Sequence, residues 1–235
     1  MMYYLWAGRT LHGTVTQADL KMLHEKVVAQ CDMDDGVKDG VIGDPRHCKF
    51  EPATLLCKSG QTAECLTASQ IEAVKKVYSG PTTSRGEKIY TGGPMPGSEL
   101  NWINDEGCCA YVSSKGIARW SGDYFGYVGF MPAPGPSWKM ADFDFDRDYK
   151  RLRMSESLFG AADNPDLRKF KAAGGKMILY QGWQDESDIP TDSINYYETA
   201  EKTMGGRAAT QDFFRLFMVP GMNHCTAGAE AFAID

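Results

Sequence analysis

An aspartate and a histidine stand at positions that suit acid–base chemistry. Asp185 follows the apolar run KMILYQG at 176–182, and His224 follows a second apolar run, FFRLFMVPG at 213–221. If the two runs are neighbouring parallel strands, the residues just past their carboxyl ends meet at one edge of the sheet. A carboxylate that orients an imidazole lets the histidine take a proton from a nucleophile and return it to a leaving group.

The order of these two residues, acid before base, is that of the Ser…Asp…His triad in α/β-hydrolases. The serine of such a triad stands in a G-x-S-x-G elbow, and the sequence contains no such motif. Because the pair has nothing to activate without a nucleophile, we expect that half of the enzyme to be absent from this chain. Two alternatives stay open: Asp185 caps a helix, or His224 is a loop histidine with local hydrogen-bond partners.

A second candidate site is the acidic loop CDMDDGVKDGVIGDPRHC, which is bracketed by two cysteines. Carboxylates at this density repel one another unless a cation lies among them, and hard oxygen ligands are those that Ca²⁺ takes. An EF-hand does not fit, because counting from Asp35 places Arg46 at the twelfth position, where a bidentate Glu is needed. The alternative is a solvated acidic turn. The aspartates of the loop are Asp32, Asp34, Asp35, Asp39 and Asp44.

The seven cysteines indicate an oxidising compartment. Two pairs bracket short polar loops at spacings that suit local disulfides, whereas structural zinc would prefer C-x2-C spacing. We therefore predict a secreted or periplasmic protein. The remaining odd count indicates a free thiol or a partner outside this chain. The predicted pairs are Cys31 with Cys48 and Cys57 with Cys65, and the remaining cysteines are Cys108, Cys109 and Cys225.

Composition and charge narrow the class of protein. The chain has 235 residues, 43 % of them hydrophobic and 24 % charged, which is ordinary for a soluble globular protein. Its net charge is −6 and it has no basic run, so nucleic acid is not an expected partner. No stretch approaches the roughly 20 apolar residues that span a bilayer, and the start lacks the basic region of a signal peptide. No membrane partner is expected.

Two predicted helices frame the acidic loop. Apolar residues recur at helical spacing over 17–30, and Thr16 is the predicted N-cap of this helix. They recur in the same way over 68–79, where the predicted N-cap is Thr67 or Ser69.

The rest of the chain divides into an irregular part and a regular part. A short strand is predicted at 3–7, and residues 80–140 are rich in Gly, Pro and aromatics, which is typical of a lid or binding surface. Helices are predicted at 144–155 and 165–173. A further helix at 191–205 lies between the two apolar runs, and strand, helix, strand predicts a right-handed βαβ unit with buried strands.

These motifs together resemble the tannase and feruloyl esterase family, over nearly the whole chain and in the same order. The resemblance implies the C-terminal part of an α/β-hydrolase fold with a large inserted lid. It implies hydrolase-core segments at 1–15 and 166–235 and a lid at 16–165. The matching stretches are CDMDDGVKDGVIGDPRHC, CLTASQIEAVKKVYSGP, GGPMPGSELNW, LYQGWQDESDIP and VPGMNHC.

The resemblance also implies roles for particular residues. Asp185 and His224 match the triad acid and base, and Asp188 fits the acid position less well. Cys225 matches a cysteine that pairs with one beside the catalytic serine, in a segment this chain lacks. The acidic loop matches a structural calcium site, with side-chain ligands at Asp32, Asp35 and Asp39 and carbonyl ligands at Val37 and Val41.

The activity implied is hydrolysis of esters of hydroxybenzoic, hydroxycinnamic or terephthalic acids by a Ser–His–Asp mechanism. The partners would be a small aromatic ester and the upstream half of the same enzyme, without which the chain would be inactive. The alternative is a non-catalytic, calcium-stabilised extracellular binding module. Aromatic residues of the lid would either wall a substrate pocket or fill the lid's own core: Trp102, Trp120, Tyr124, Phe125, Tyr127 and Phe130.

Overall fold

The computed structural model describes residues 2–105, 109–117, 119–159 and 163–224. These residues form eight α-helices and four β-strands, joined by long loops with short 3-10 turns. The helices are α1 (Met2–Leu11), α2 (Gln17–Cys31), α3 (Ala68–Ser79), α4 (Arg119–Tyr127), α5 (Phe145–Phe159), α6 (Arg168–Ala172), α7 (Pro190–Thr203) and α8 (Arg207–Gln211). The strands are β1 (Val112–Ser113), β2 (Gly116–Ile117), β3 (Met177–Gly182) and β4 (Phe214–Val219).

The strand predicted at 3–7 is wrong, because this segment lies inside helix α1. A short apolar run cannot be assigned by periodicity when it is buried on every side. That is the case here, since consecutive residues from Met2 to Leu5 are all buried. Gly8 belongs to the same helix, and a Cβ there would lie 2.6 Å from a methyl carbon of Ile117. The helix is therefore packed closely against the short hairpin of β1 and β2.

Helices α2 and α3 confirm their predictions, and each begins with a capping box. The Thr16 side chain accepts a hydrogen bond from the backbone of Asp19, whose carboxylate accepts one from Thr16 in return. Thr67 and Gln70 form the same reciprocal pair at the start of α3, so Thr67 is the cap and not Ser69. Such boxes satisfy backbone N–H groups that a helix start leaves unpaired.

The irregular stretch predicted over 80–140 is mostly confirmed, with only short elements in its described part. Its aromatic residues support the core-filling alternative over a pocket wall. Trp102 is fully buried, and Phe125 and Phe130 lie in a cluster with Phe143 and Leu152. Of the remaining residues predicted to form that wall, Tyr124 packs at the edge of the cluster, and the side chain of Trp120 lies outside the described residues. Tyr127 is exposed.

The predicted strand–helix–strand unit is present at the end of the chain. Strands β3 and β4 pair in parallel, with Met177 opposite Phe214 and Gly182 opposite Val219. Helix α7 connects them and buries Tyr197 and Ala200. These residues pack with the inward side chains of both strands in a small cluster of their own.

The prediction that both strands are buried holds for one face of the sheet only. The inner face packs on α7, but the outer face is open, with Ile178 71 % exposed, Tyr180 52 % and Phe217 51 %. Parallel sheets normally have both faces covered. Within the described residues, however, the sheet has only two strands and no layer on that side.

The largest hydrophobic cluster joins distant parts of the chain. It contains Tyr3 and Leu11 of α1, Leu23 of α2 and Val74 of α3, together with Ile189 just before α7. Helix α1, which belongs to the segment 1–15 predicted as part of the hydrolase core, therefore packs with residues of the predicted lid. The boundaries predicted at 15 and 165 remain a prediction.

Both predicted local disulfides are present. Cys31 and Cys48 are bonded across the acidic loop, and Cys57 and Cys65 across the next polar loop. Cys109 is also disulfide-bonded. Cys225 and Cys108 lie outside the described residues. No described helix has the length and apolar character required to cross a membrane.

Replacing the cap of α3 tests its capping box. We expect Thr67→Ala to lower the free energy of unfolding by about 1 kcal/mol, because the backbone N–H of Gln70 loses its acceptor, the Thr67 hydroxyl. Ser69→Ala is the matched control and should change stability much less, since Ser69 is not the cap. Urea unfolding followed by circular dichroism measures both. Equal losses in the two variants would contradict the assignment of the cap.

Candidate active site

The parallel pairing of β3 and β4 brings two loops together at the carboxyl edge of the sheet. Beyond the last paired residues, the Trp183 N–H donates to the Val219 carbonyl at 2.9 Å, and the Gln184 N–H donates to the Met222 carbonyl at 3.1 Å. The approach requires glycine at Gly182, because a Cβ there would lie 2.1 Å from the Met222 oxygen. The loop after β3 (residues 183–189, the triad-acid loop) is thus held against the loop that carries His224.

Asp185 and His224 meet at this edge as the sequence predicts. The His224 Nδ1 lies 3.2 Å from Asp185 Oδ2. Asp185 is buried, and its carboxylate also accepts backbone N–H groups from Ser187 at 2.8 Å and Asp188 at 2.9 Å. Gln181 donates to Oδ2 at 2.6 Å. Helix α7 begins later, with Ile189 at its N-cap, so Asp185 does not cap it.

Asp188 is the second carboxylate near the imidazole. Its Oδ2 lies 3.7 Å from His224 Nδ1, and its side chain is 74 % exposed, against 6 % for Asp185. A buried, multiply hydrogen-bonded carboxylate holds one orientation, whereas an exposed one competes with water. The geometry therefore favours Asp185 as the group that orients His224.

Burial raises the pKa of Asp185 above its ordinary value. The backbone N–H of Asp188, the charge of His224 and the N–H of Ser187 oppose this rise. Hydrogen bonds to the charged form of a carboxylate favour that form, and burial without them would favour the neutral acid. The donors around Asp185 are thus the groups that keep a negative charge beside the imidazole.

Glu186 is a residue of this site that the sequence analysis did not identify. It is 4 % exposed, and burial raises its pKa to about 8. The charges of Asp185 and Asp188 raise this pKa further, while its own backbone N–H and that of His224 lower it. Its Oε2 is buried with no hydrogen-bond partner among the described residues. The only sequence signal was the dense acidic stretch DESD that follows Gln184.

Two buried tyrosines hold the triad-acid loop from outside, and no sequence motif marked them. The Tyr111 hydroxyl donates to the Glu186 carbonyl, and the Tyr4 hydroxyl donates to Ser187 Oγ. Their rings pack edge to face, with centroids 5.2 Å apart. Tyr4 belongs to α1 and Tyr111 to the segment before β1, so three distant parts of the chain meet here.

The same side chains form a group with the composition of a metal site. Ligand atoms of Asp185, Asp188 and His224 lie within 4.8 Å of one another, and no other such group occurs in the part of the chain that the structure describes. Both oxygens of Asp185 already accept hydrogen bonds from N–H donors. The arrangement therefore favours an imidazole oriented for proton transfer over a bound cation.

The acidic loop forms a separate structure, closed at its base by the Cys31–Cys48 disulfide. Three aspartates use one oxygen each to accept backbone hydrogen bonds: Asp32 from Gly40 at 2.9 Å, Asp35 from Val37 at 2.9 Å and Asp39 from Val41 at 3.0 Å. Gly36 and Gly40 have φ values of 90° and 81°, which favour glycine. Asp44 is instead paired with Arg46, and Asp34 is exposed.

A small cavity connects the acidic loop with the candidate active site. Its volume is about 120 Å³. It is walled by Gly40 and Val41 of the acidic loop and by Gln184 and Asn223, the residues that precede Asp185 and His224. Arg46 lies over the ring of Trp183 on the same side, 5.0 Å from its centroid. Through Arg46 and Trp183, the acidic loop thus contacts the loop that carries Asp185.

The raised pKa of Glu186 predicts how stability depends on pH. Its carboxyl is neutral in both the folded and unfolded states below the ordinary pKa of about 4.5, and charged in both above about 8. Between these values the folded state holds more protons, so the free energy of unfolding should fall as pH rises, by at most about 1.4 kcal/mol per pH unit.

Glu186→Gln should remove this component of the pH dependence. The exposed Glu198→Gln is the matched control and should leave the dependence unchanged. Chemical unfolding across the pH range measures both variants. A wild type and Glu186→Gln with parallel pH profiles would contradict the assignment of a buried, neutral carboxyl.

Comparisons with known proteins show the family to which the chain is similar. The model of the family described as "Tannase and feruloyl esterase" matches residues 3–235. An uncharacterized esterase of Xanthomonas campestris pv. campestris is 35 % identical over 251 residues, which cover 96 % of this chain and 43 % of that protein. A mono(2-hydroxyethyl) terephthalate hydrolase of Piscinibacter sakaiensis is 31 % identical, over 93 % of this chain and 42 % of that protein.

A solved structure gives the same result for the fold. Feruloyl esterase B from Aspergillus oryzae superposes with a TM-score of 0.82 at 29 % identity, over 96 % of this chain and 46 % of that chain. The chain therefore spans less than half the length of the proteins it matches. With the family's pattern extending over almost every residue, the chain belongs to the tannase and feruloyl esterase family.

Proposed function

We propose that this chain supplies the acid and base of a serine carboxylic ester hydrolase, with Asp185 and His224 as the last two members of a Ser–His–Asp triad. The observation that carries the proposal is the contact of 3.2 Å between His224 Nδ1 and Asp185 Oδ2 at the ends of adjacent parallel strands. The names of the relatives, feruloyl esterase and terephthalate ester hydrolase, support an ester as the substrate.

The mechanism follows from which nitrogen Asp185 contacts. With Nδ1–H donated to the carboxylate, Nε2 of His224 is the basic nitrogen that receives the proton of a serine hydroxyl. The serine oxygen bonds to the ester carbonyl carbon, and the same proton passes to the alcohol as its bond to that carbon breaks, which leaves the acyl group on the serine. A water then gives its proton to Nε2 and bonds to the acyl carbon, and the proton returns to the serine as the acid is released. Asp185 keeps the imidazole in this tautomer and stabilises its charged form.

The serine would come from a segment upstream of this chain. The chain corresponds to 43 % of the first relative, and the outer sheet face is apolar and open. A preceding segment that continues the parallel sheet would cover Ile178, Tyr180 and Phe217, as such sheets require. On this proposal the chain alone has no esterase activity.

Esters of aromatic acids are the proposed substrate class. Feruloyl and terephthaloyl groups in the names of relatives support this class, and neither group is favoured over the other. Because Phe125, Phe130 and Trp102 fill the interior, recognition of the aromatic ring would fall to other residues.

The acidic loop is proposed to hold a structural Ca²⁺. Asp32, Asp35 and Asp39 each engage one oxygen with the backbone, which leaves the second oxygen of each for a cation, and the carbonyls of Val37 and Val41 would complete the set. The chemistry of the donors suits a hard cation, since all of them are oxygens on a loop that is closed by a disulfide. The three carboxylates do not lie within 4.8 Å of one another in this structure, so a bound cation would have to draw them together. The two local disulfides also support a secreted or periplasmic location.

Substitution of the base tests the proposed mechanism. The chain is expressed with the coding sequence that precedes Met1, and hydrolysis of an aromatic ester is measured. His224→Ala should reduce kcat on the order of 10⁶-fold and Asp185→Asn on the order of 10⁴-fold, with the fold unchanged. Asp188→Asn is the matched control and should have a much smaller effect.

Two results would contradict this proposal. The first is turnover that His224→Ala retains. The second is a stop codon and ribosome-binding site directly before Met1, which would favour the calcium-stabilised binding module instead.

Substitution in the acidic loop tests the metal. A ligand at 100 times its Kd stabilises a protein by about 2.7 kcal/mol, so chelation should lower the Tm of the wild type. Asp39→Ala should have, even without chelator, the lower Tm that the wild type shows after chelation, and its Tm should not respond to added Ca²⁺. Asp34→Ala removes the same charge from an exposed position of the loop and should keep the response. If chelator affects none of the three proteins, the calcium site is wrong.

A further inference from the structure

Two features of the triad-acid loop have opposite effects on its closed conformation, because Asp185 stabilises it and the burial of Glu186 destabilises it. Asp185 orders the loop locally by accepting the N–H groups of Ser187 and Asp188. The neighbouring Glu186 is buried, and its carboxyl accepts the backbone N–H groups of Glu186 itself and of His224. Its Oε2 has no partner among the described residues and would be hydrated if the loop rotated outward. A buried polar atom without a partner favours the open loop. Something outside the loop must therefore hold Glu186 inside.

Tyr111 provides that restraint at the residue concerned. Its hydroxyl donates to the backbone carbonyl of Glu186 and so holds the peptide that links it to Ser187. The ring is fully buried and packs edge to face against Tyr3 and Tyr4, with centroids 5.3 Å and 5.2 Å away. Packing on both sides fixes the direction of the hydroxyl, so the bond acts as a rigid support.

We propose that Tyr111 is a positioning residue for the Asp185–His224 pair: it holds the triad-acid loop closed over Glu186 and thereby keeps Asp185 against His224. The inference rests on the proposed function of that pair. Tyr4 assists through its bond to Ser187 Oγ, one residue further along.

The charged groups around Glu186 determine the pH range in which the hydrogen bond from Tyr111 matters most for keeping the loop closed. Asp185 and Asp188 face it from its own loop, His224 from the loop that follows β4, and Tyr4 and Tyr111 from the elements packed against the loop. Burial raises the pKa of both tyrosines, so their hydroxyls remain donors. Glu186 itself ionises near pH 8, and its charge then adds to the two aspartates. Without Tyr111, the loop should open as Glu186 becomes charged.

The test uses the chain as it is and needs no catalytic turnover. A histidine Nδ1–H bonded to a carboxylate gives a proton resonance far downfield, which is assigned to His224 through its absence in His224→Ala. We expect wild type to show this signal below and above pH 8. Tyr111→Phe should lose it as pH rises through that value. Tyr78→Phe, which removes a buried hydroxyl bonded to Glu99 instead, should behave as wild type.

A second substitution separates positioning from general destabilisation. In the double variant Tyr111→Phe with Glu186→Gln the carboxyl cannot ionise, so the signal should return at high pH. Loss of the signal in Tyr78→Phe as well, or no return in the double variant, would show a merely structural effect and overturn the proposal. A Tyr111→Phe spectrum identical to wild type at every pH would also overturn it. A wild type without the signal would refute the Asp185–His224 pair itself, and the proposal with it.

Discussion

The parallel register of two strands is the constraint on which the candidate site depends. Gly182 is opposite Val219 at the end of the ladder, and the next residues continue the contact through backbone hydrogen bonds across the loops. Residues 39 positions apart in the chain, Asp185 and His224, reach bonding distance only because of that register. The absence of a side chain at Gly182 permits the close approach. A shift of one residue would reverse the faces of a strand and separate the pair.

Charge concentrated at this edge is the second feature of the site. The carboxylates that follow one another closely here differ in burial and in hydrogen bonding: Asp185, Glu186 and Asp188. Asp185 receives several N–H donors, Glu186 is buried and held neutral below about pH 8, and Asp188 is left in solvent. Environment rather than residue type thus assigns the roles, which is a general feature of sites that perform acid–base chemistry.

The two faces of the β3–β4 sheet differ in how completely they are packed. The inner face is complete, because α7 buries its apolar residues. The outer face presents Ile178, Tyr180 and Phe217 to solvent. The first part of the chain, in contrast, has a large shared interior that joins α1 to α2 and α3. The site therefore lies between a well-packed region and a surface that is unusual for a parallel sheet.

The sequence by itself determined the features that depend on local patterns. It predicted the cap at Thr16, both local disulfides, the parallel strands and the positions of Asp185 and His224 just past the strand ends, because spacing and turn residues act over a few positions. For the second helix it left Thr67 and Ser69 open as caps. Tertiary structure decided the rest. The segment 3–7 is helical although the sequence predicted a strand, because consecutive buried residues from Tyr3 to Leu5 leave no periodic signal that distinguishes a helix from a strand. Burial of Glu186 and the support from Tyr111 arise from contacts between residues 75 positions apart, which no local pattern encodes.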